Sequence, residues 1–179
     1  YNLGVLFADD AHNGLTHDYF SSVLNSFKDE AERNGYDITF INRHVGKKSM
    51  SYYEHAKYRG VDGIVIACID FYDPDVIELI HSDIPVVTID HVFDNRTSIS
   101  SDNIKGISDL VTYIYQMGHR KIAYIHGADS SVTRNRVGSF YKTTGELGLD
   151  IPDYYVLSGI YRDPVSTAEL TKQLLNLKD

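Results

Sequence analysis

With 179 residues, 42% of them hydrophobic, the chain has the composition of a soluble globular protein of one domain or two small lobes. A formal net charge of -8 excludes a segment that grips a polyanion by itself, because that takes clustered Lys and Arg to displace counterions. The single cysteine, Cys68, excludes an internal disulfide, and no apolar run approaches the roughly 18 residues of a membrane helix.

Strand and helix patterns then alternate with little sequence wasted between them, which is the signature of a parallel α/β architecture. Tyr1 opens directly on strand-like sequence without a charged-then-apolar leader, as a fragment of a longer chain would. Residues 3–7 read as a buried strand, and Phe20, Val23, Leu24, Phe27 and Ala31 form the apolar stripe of a helix that Gly35 ends. A second strand at 36–41, a helix near 49–59 and a third strand at 61–66 follow. Cys68 comes straight after that apolar run, where an inert buried thiol is expected. Asp73, Pro74 and Asp75 open the next helix, since proline's fixed φ and missing donor suit the first turn; its inward residues are Val76, Ile77, Leu79 and Ile80. Residues 84–90 are a fourth strand. The polar stretch 94–98 reads as a separator, placing a lobe boundary near 98–103.

Beyond the boundary, Ile107, Leu110, Val111, Ile114 and Met117 recur at helical spacing, and Gly118 supplies a left-handed stop. A strand at 121–125, a helix over about 133–147, a strand at 154–157 and a last helix near 164–175 complete the pattern.

Catalytic motifs are absent. None of H-E-x-x-H, paired C-x-x-C or G-x-S-x-G occurs, and the first strand runs into Ala8-Asp9-Asp10-Ala11-His12 without the G-x-G-x-x-G turn that brings backbone amides to a pyrophosphate. The expectation is a non-enzyme without a cofactor or a metal, the loop carboxylates Asp9 and Asp10 being solvated or ligand acceptors.

The run Gly118-His119-Arg120-Lys121-Ile122-Ala123-Tyr124-Ile125, followed by Ser130-Ser131-Val132-Thr133-Arg134, resembles the effector-binding domain of the LacI/GalR family of bacterial transcription regulators. Gly60-Val61-Asp62-Gly63-Ile64-Val65, Ile84-Pro85-Val86-Val87-Thr88-Ile89-Asp90 and Ser101-Asp102-Asn103 are similar to further elements of that family, in the same order. The chain departs from it at His91, where many members carry arginine, and at His17-Asp18-Tyr19-Phe20, where the usual pattern is N-P-F-F. The resemblance implies an α/β, two-lobed periplasmic-binding-protein-like fold of type I. Its parallel sheets would be flanked by helices, with residues 1–100 as the N-terminal lobe and 101–179 as a C-terminal lobe that is incomplete. Four strands are expected in the first lobe and about two in the second, with apolar faces left uncovered unless a partner fills them.

In parallel α/β sheets ligands collect at the carboxyl ends of the strands. The candidate effector-binding residues there are His17, Tyr19, Phe20, Asp90, Asp102 and Arg134. A carboxylate such as Asp90 accepts two hydrogen bonds from adjacent hydroxyls, a guanidinium such as Arg134 donates a planar fork, and an aromatic face such as Tyr19 packs on the C–H face of a pyranose. Each has a structural alternative: Phe20 lies on the core stripe, Asp90 could form a turn, Arg134 could be a solvated charge, and Asp102 suits a helix N-cap. Such residues favour a sugar-like or nucleoside-like effector, which the resemblance implies is bound between two lobes. The resemblance further implies a homodimer, operator DNA reached through a helix-turn-helix outside this chain, and a cytoplasmic setting. The competing readings are a periplasmic or lipoprotein sugar-binding component of a transporter and a pure dimerisation module.

Overall fold

Strand β1 (Asn2–Phe7) is flanked in parallel by β2 (Asp37–Phe40) on one side and β5 (Gly63–Ala67) on the other, with Leu3 opposite Ile38 and Gly63. In this computed structural model, which describes residues 1–7, 18–161 and 163–177, the chain divides into two compact units, Tyr1–Ser100 and Ser101–Asp179. Strands β6 (Val86–Ile89) and β7 (Thr97–Ile99) extend the first unit's parallel sheet to the order β2-β1-β5-β6-β7. The fifth strand corrects the expectation of four. Residues 94–98 look polar because β7 is an exposed edge, and its Ser98 and Ile99 pair with Thr88 and Ile89 through the backbone, which needs no apolar pattern.

Helices α2 (Tyr52–Arg59) and α3 (Pro74–His81) cover one face, where Leu6, Ile41, Ala56, Ile66, Val76 and Leu79 are buried. The predicted start of α2 at Ser49 is too early. Ser49 ends a small hairpin of β3 (His44–Val45) and β4 (Lys48–Ser49), and the helix begins after Ser51, whose hydroxyl and Glu54 form a capping box. Asp73 caps α3 with Pro74 in its first turn, as the sequence indicates. Arg96 donates to the Ile80 and Ser82 carbonyls at 2.7 and 2.6 Å, tying the β6–β7 connection to the end of α3. Helix α1 (Asp18–Arg33) packs on the other face through Phe20 and leaves beside it an apolar groove of about 710 Å³, lined by Leu3, Val5, Phe27, Val65 and Val87 among others.

The second unit is built on two parallel strands, β8 (Tyr124–His126) and β9 (Val156–Ser158). Helix α4 (Asn103–Gln116) packs against α5 (Ser131–Glu146), around Val111, Ile122 and Phe140. Gly118, with φ +96°, stops the segment after α4 as expected. The predicted strand at 121–125 begins later, at Tyr124, and α5 begins earlier, at Ser131, because the Ser130 hydroxyl accepts from the Thr133 N–H and caps it. Helix α6 (Pro164–Leu175) is capped by Asp163 and buries no residue. No described helix is long and apolar enough to cross a membrane.

His55 is a buried titratable group of the first unit, 2% exposed on α2. Its Nδ1 accepts the Asn42 backbone N–H at 2.9 Å, and its Nε2 lies 3.1 Å from Arg59 Nε. Burial and then the Arg59 charge lower its pKa below the ordinary value of about 6.5, partly offset by the contact with the Asn42 backbone. The folded state then binds fewer protons than the unfolded chain as pH falls past about 6.5, and stability is lost in that direction until the folded pKa is passed. Thermal unfolding followed between about pH 7.5 and 5.5 will show a falling midpoint, and His55→Gln will flatten that fall.

Candidate functional site

At the carboxyl ends of β5 and β6 the backbone turns sharply. Cys68 and Asp90, directly after these strands, take left-handed φ of 54° and 61°. Such a conformation is costly for a residue with a Cβ and least so for Asp or Asn, so the end of β6 is built around a residue whose side chain tolerates it. Asp90 N–H donates to the Ile99 carbonyl at 2.9 Å, which fixes the strand end against β7. Cys68 is half-buried, not fully buried as its apolar run suggests, because this turn carries it out of the strand.

The loops after β5 and β6 meet through rings. Phe71 stacks on His91 with centroids 4.4 Å apart and planes within 7°, Phe93 lies 4.6 Å from His91, and Tyr72 meets His91 edge-on at 5.8 Å. Phe71 and Phe93 also pack on the core below, whereas Tyr72 is 71% exposed. Thr88, fully buried on β6, donates its hydroxyl to the His91 carbonyl at 2.5 Å and pins the loop. Nearby, Arg43 contacts both carboxylate oxygens of Asp73, lies 2.9 Å from Asp75 and sits over the Tyr52 ring at 4.9 Å. Its charge is thereby matched inside the loop cluster.

The sequence candidates fall in different settings. Tyr19 is 44% exposed in the first turn of α1 and touches Phe20 edge-on at 4.9 Å, while Phe20 is buried against Ala67 and Ile89 and serves the core. His17, like Asp9, Asp10 and His12, lies outside the described residues. Asp102 accepts the Lys105 N–H at 3.0 Å and caps α4, so its structural role is visible. Arg134 is exposed and paired with Asp129 at 2.7 Å.

Its neighbour two residues on, Arg136, sits differently. Half-buried, it donates from Nε to Asn103 Oδ1 at 2.7 Å, joining α5 to the start of α4. Its charge faces Tyr124, whose pKa is raised by burial, opposed by Arg136 and reinforced by Tyr161. Helical spacing could have revealed it, because Thr133, Arg136, Val137 and Phe140 fall on one stripe of α5 and Arg134 does not. At the same strand end, Tyr161 bonds Thr133 through their hydroxyls at 2.7 Å and closes over Gly127. Among the described residues no group of three or more His, Cys, Asp or Glu could hold a metal ion.

Residues 2–176 match the family described as periplasmic binding proteins and sugar binding domain of LacI family. The chain belongs to that family. It is 29% identical over 126 residues to the ribose operon repressor of Bacillus subtilis (strain 168), covering 70% of this chain and 36% of that protein. It is 31% identical over 103 residues to the maltose regulon regulatory protein MalI of Escherichia coli (strain K12), covering 55% of this chain and 30% of that protein. The chain thus spans about a third of the length of these curated relatives. A regulatory protein of the LacI family from Chloroflexus aggregans shares the fold, with a TM-score of 0.82 and 23% identity over 99% of this chain and 64% of that one. The periplasmic-binding-protein-like fold implied by the Gly118-His119-Arg120-Lys121 signature is therefore the observed one.

A Cβ on Gly127 would come within 2.3 Å of the Tyr161 ring. Gly127→Ala will displace that ring, break its bond to Thr133 and lower stability by about 1–3 kcal/mol in urea unfolding, as overpacking does. Adding Tyr161→Ala will recover part of that loss, visible as non-additivity in the double-mutant cycle.

Proposed function

We propose that the chain is the effector-sensing domain of a DNA-binding transcriptional regulator, taking a small sugar-like or nucleoside-like ligand and altering operator binding by a helix-turn-helix outside these residues. The observation that carries this reading is Asp90, a carboxylate held in a left-handed turn at the ligand-collecting end of a parallel sheet. Tyr19 supplies an exposed aromatic face in the same unit, and Arg136 supplies a guanidinium at the strand ends of the second, its two Nη groups without a hydrogen bond or ion pair among the described residues. Arg136 is preferred to Arg134 because the Asp129 pair already satisfies the latter. Its similarity to a ribose operon repressor and to a maltose regulon regulatory protein favours a regulator over the transport component that the family also covers.

An effector stabilises whichever arrangement of the protein it binds better, and that difference in affinity is what attached DNA-binding heads would read in a cytoplasmic homodimer. No catalytic step or cofactor belongs to this scheme. A thermal-shift panel of ribose, glucose, maltose and adenosine tests it, since a ligand at about a hundred times its Kd adds about 2.7 kcal/mol of stability. For the ligand that shifts the midpoint, Asp90→Asn and Arg136→Ala will each weaken binding by about 1.5–3 kcal/mol by calorimetry, the range for a hydrogen bond to a charged group. Arg134→Ala will leave it within about twofold; a larger loss at Arg134 than at Arg136 would reverse that assignment.

A further inference from the structure

We propose that the first unit carries an aromatic subsite, with Tyr72 as its contact surface, that selects effectors bearing a planar ring; this rests on the effector-sensing reading above. Four observations converge on it. The loops that follow β5 and β6, the second of which begins at Asp90, bring Phe71, His91 and Phe93 into mutual ring contact and set Tyr72 against His91. Two of these rings, Phe71 and Phe93, pack on the core; His91 stacks on Phe71, lies tilted by 55° against Phe93, and has its backbone carbonyl held by the Thr88 hydroxyl, so the cluster is a preorganised support. Tyr72 stands on that support at 87° to His91, 71% exposed, with its backbone N–H fixed by the Asp70 carboxylate at 2.9 Å. An exposed aromatic side chain braced at its base and edge loses little freedom when a second ring stacks on its face.

The polar groups around it point the same way. A hydroxyl-rich ligand needs several donors and acceptors, yet Asp73 is engaged by Arg43 and by the α3 N-terminus, Asp70 by the Tyr72 amide, and Thr88 by the His91 carbonyl. Around Tyr72 the described surface therefore offers a π-face more readily than a set of hydroxyl partners. The matching chemistry is a planar ring joined to a polar part that Asp90 reads, as in a nucleoside or an aryl glycoside.

Two probe pairs test this on the protein: adenosine against ribose, and phenyl β-glucoside against glucose. In each pair that binds, the ring-bearing member will bind at least about tenfold more tightly, the stacking contribution of one ring. Saturation-transfer NMR will place its ring protons against the protein. Tyr72→Ala, at an exposed position, will remove about that factor for the ring-bearing probe alone, and Tyr72→Phe will keep it. Equal affinity within both pairs, or a Tyr72→Ala variant that binds as the parent does, would overturn the subsite and leave the effector-sensing reading standing. If the thermal-shift panel and both probe pairs show no binding at all, the effector-sensing reading fails and the subsite with it.

Discussion

Parallel strand pairing governs the first unit. Because β1 pairs in parallel with β2 on one side and β5 on the other, the chain passes from β1 to β2, from β2 to β5 and from β5 to β6 by way of a helix, and every strand delivers its following loop to the same end of the sheet. The two neighbours of β1 lie on opposite sides of it, so the connections part there, with α1 on one face and α2 and α3 on the other. The gathering of the carboxyl ends at one edge is a consequence of backbone hydrogen bonding, and side-chain chemistry arrives there through the loops. Asp90, Tyr19 and the His91 rings occupy that end because Ile89, Phe20 and Phe71 are fixed in or against the packed layers behind them.

Where the fold was legible, short-range physics decided the outcome. Asp73-Pro74 marks a helix start by capping and by fixed φ, Gly118 marks a stop, and the apolar runs of β1, β5 and β6 follow from burial on both faces of a parallel sheet. Strand β7 was illegible because an edge strand pairs through its backbone and keeps polar side chains. The hairpin of His44–Val45 with Lys48–Ser49 escaped notice for a similar reason, since two residues per strand carry no periodicity. Ser51 and Ser130 show a subtler limit: several serines near a helix start could cap it, and only geometry selects one.

The candidate site was legible in part. Asp90 and Tyr19 stand at element ends that the sequence locates, but the partners of a long side chain depend on tertiary placement. Arg134 and Arg136 differ by two residues, or about 200° around a helix, and that rotation separates a surface pair with Asp129 from a bond to Asn103 across α4 and α5. The ring cluster joins residues 71–72 to residues 91–93 across two loops, a proximity that sequence spacing does not record.

The left-handed turns at Cys68 and Asp90 act as a filter on inheritance. A β-branched residue at either position would carry its penalty in the backbone itself, whereas Gly, Asn and Asp are admitted with little strain. Variation at these neighbouring strand ends is thereby channelled toward short polar side chains or none. Side-chain variation at this end of the sheet then falls mainly to the residues that follow, and Tyr72 and His91 lie on that freer stretch.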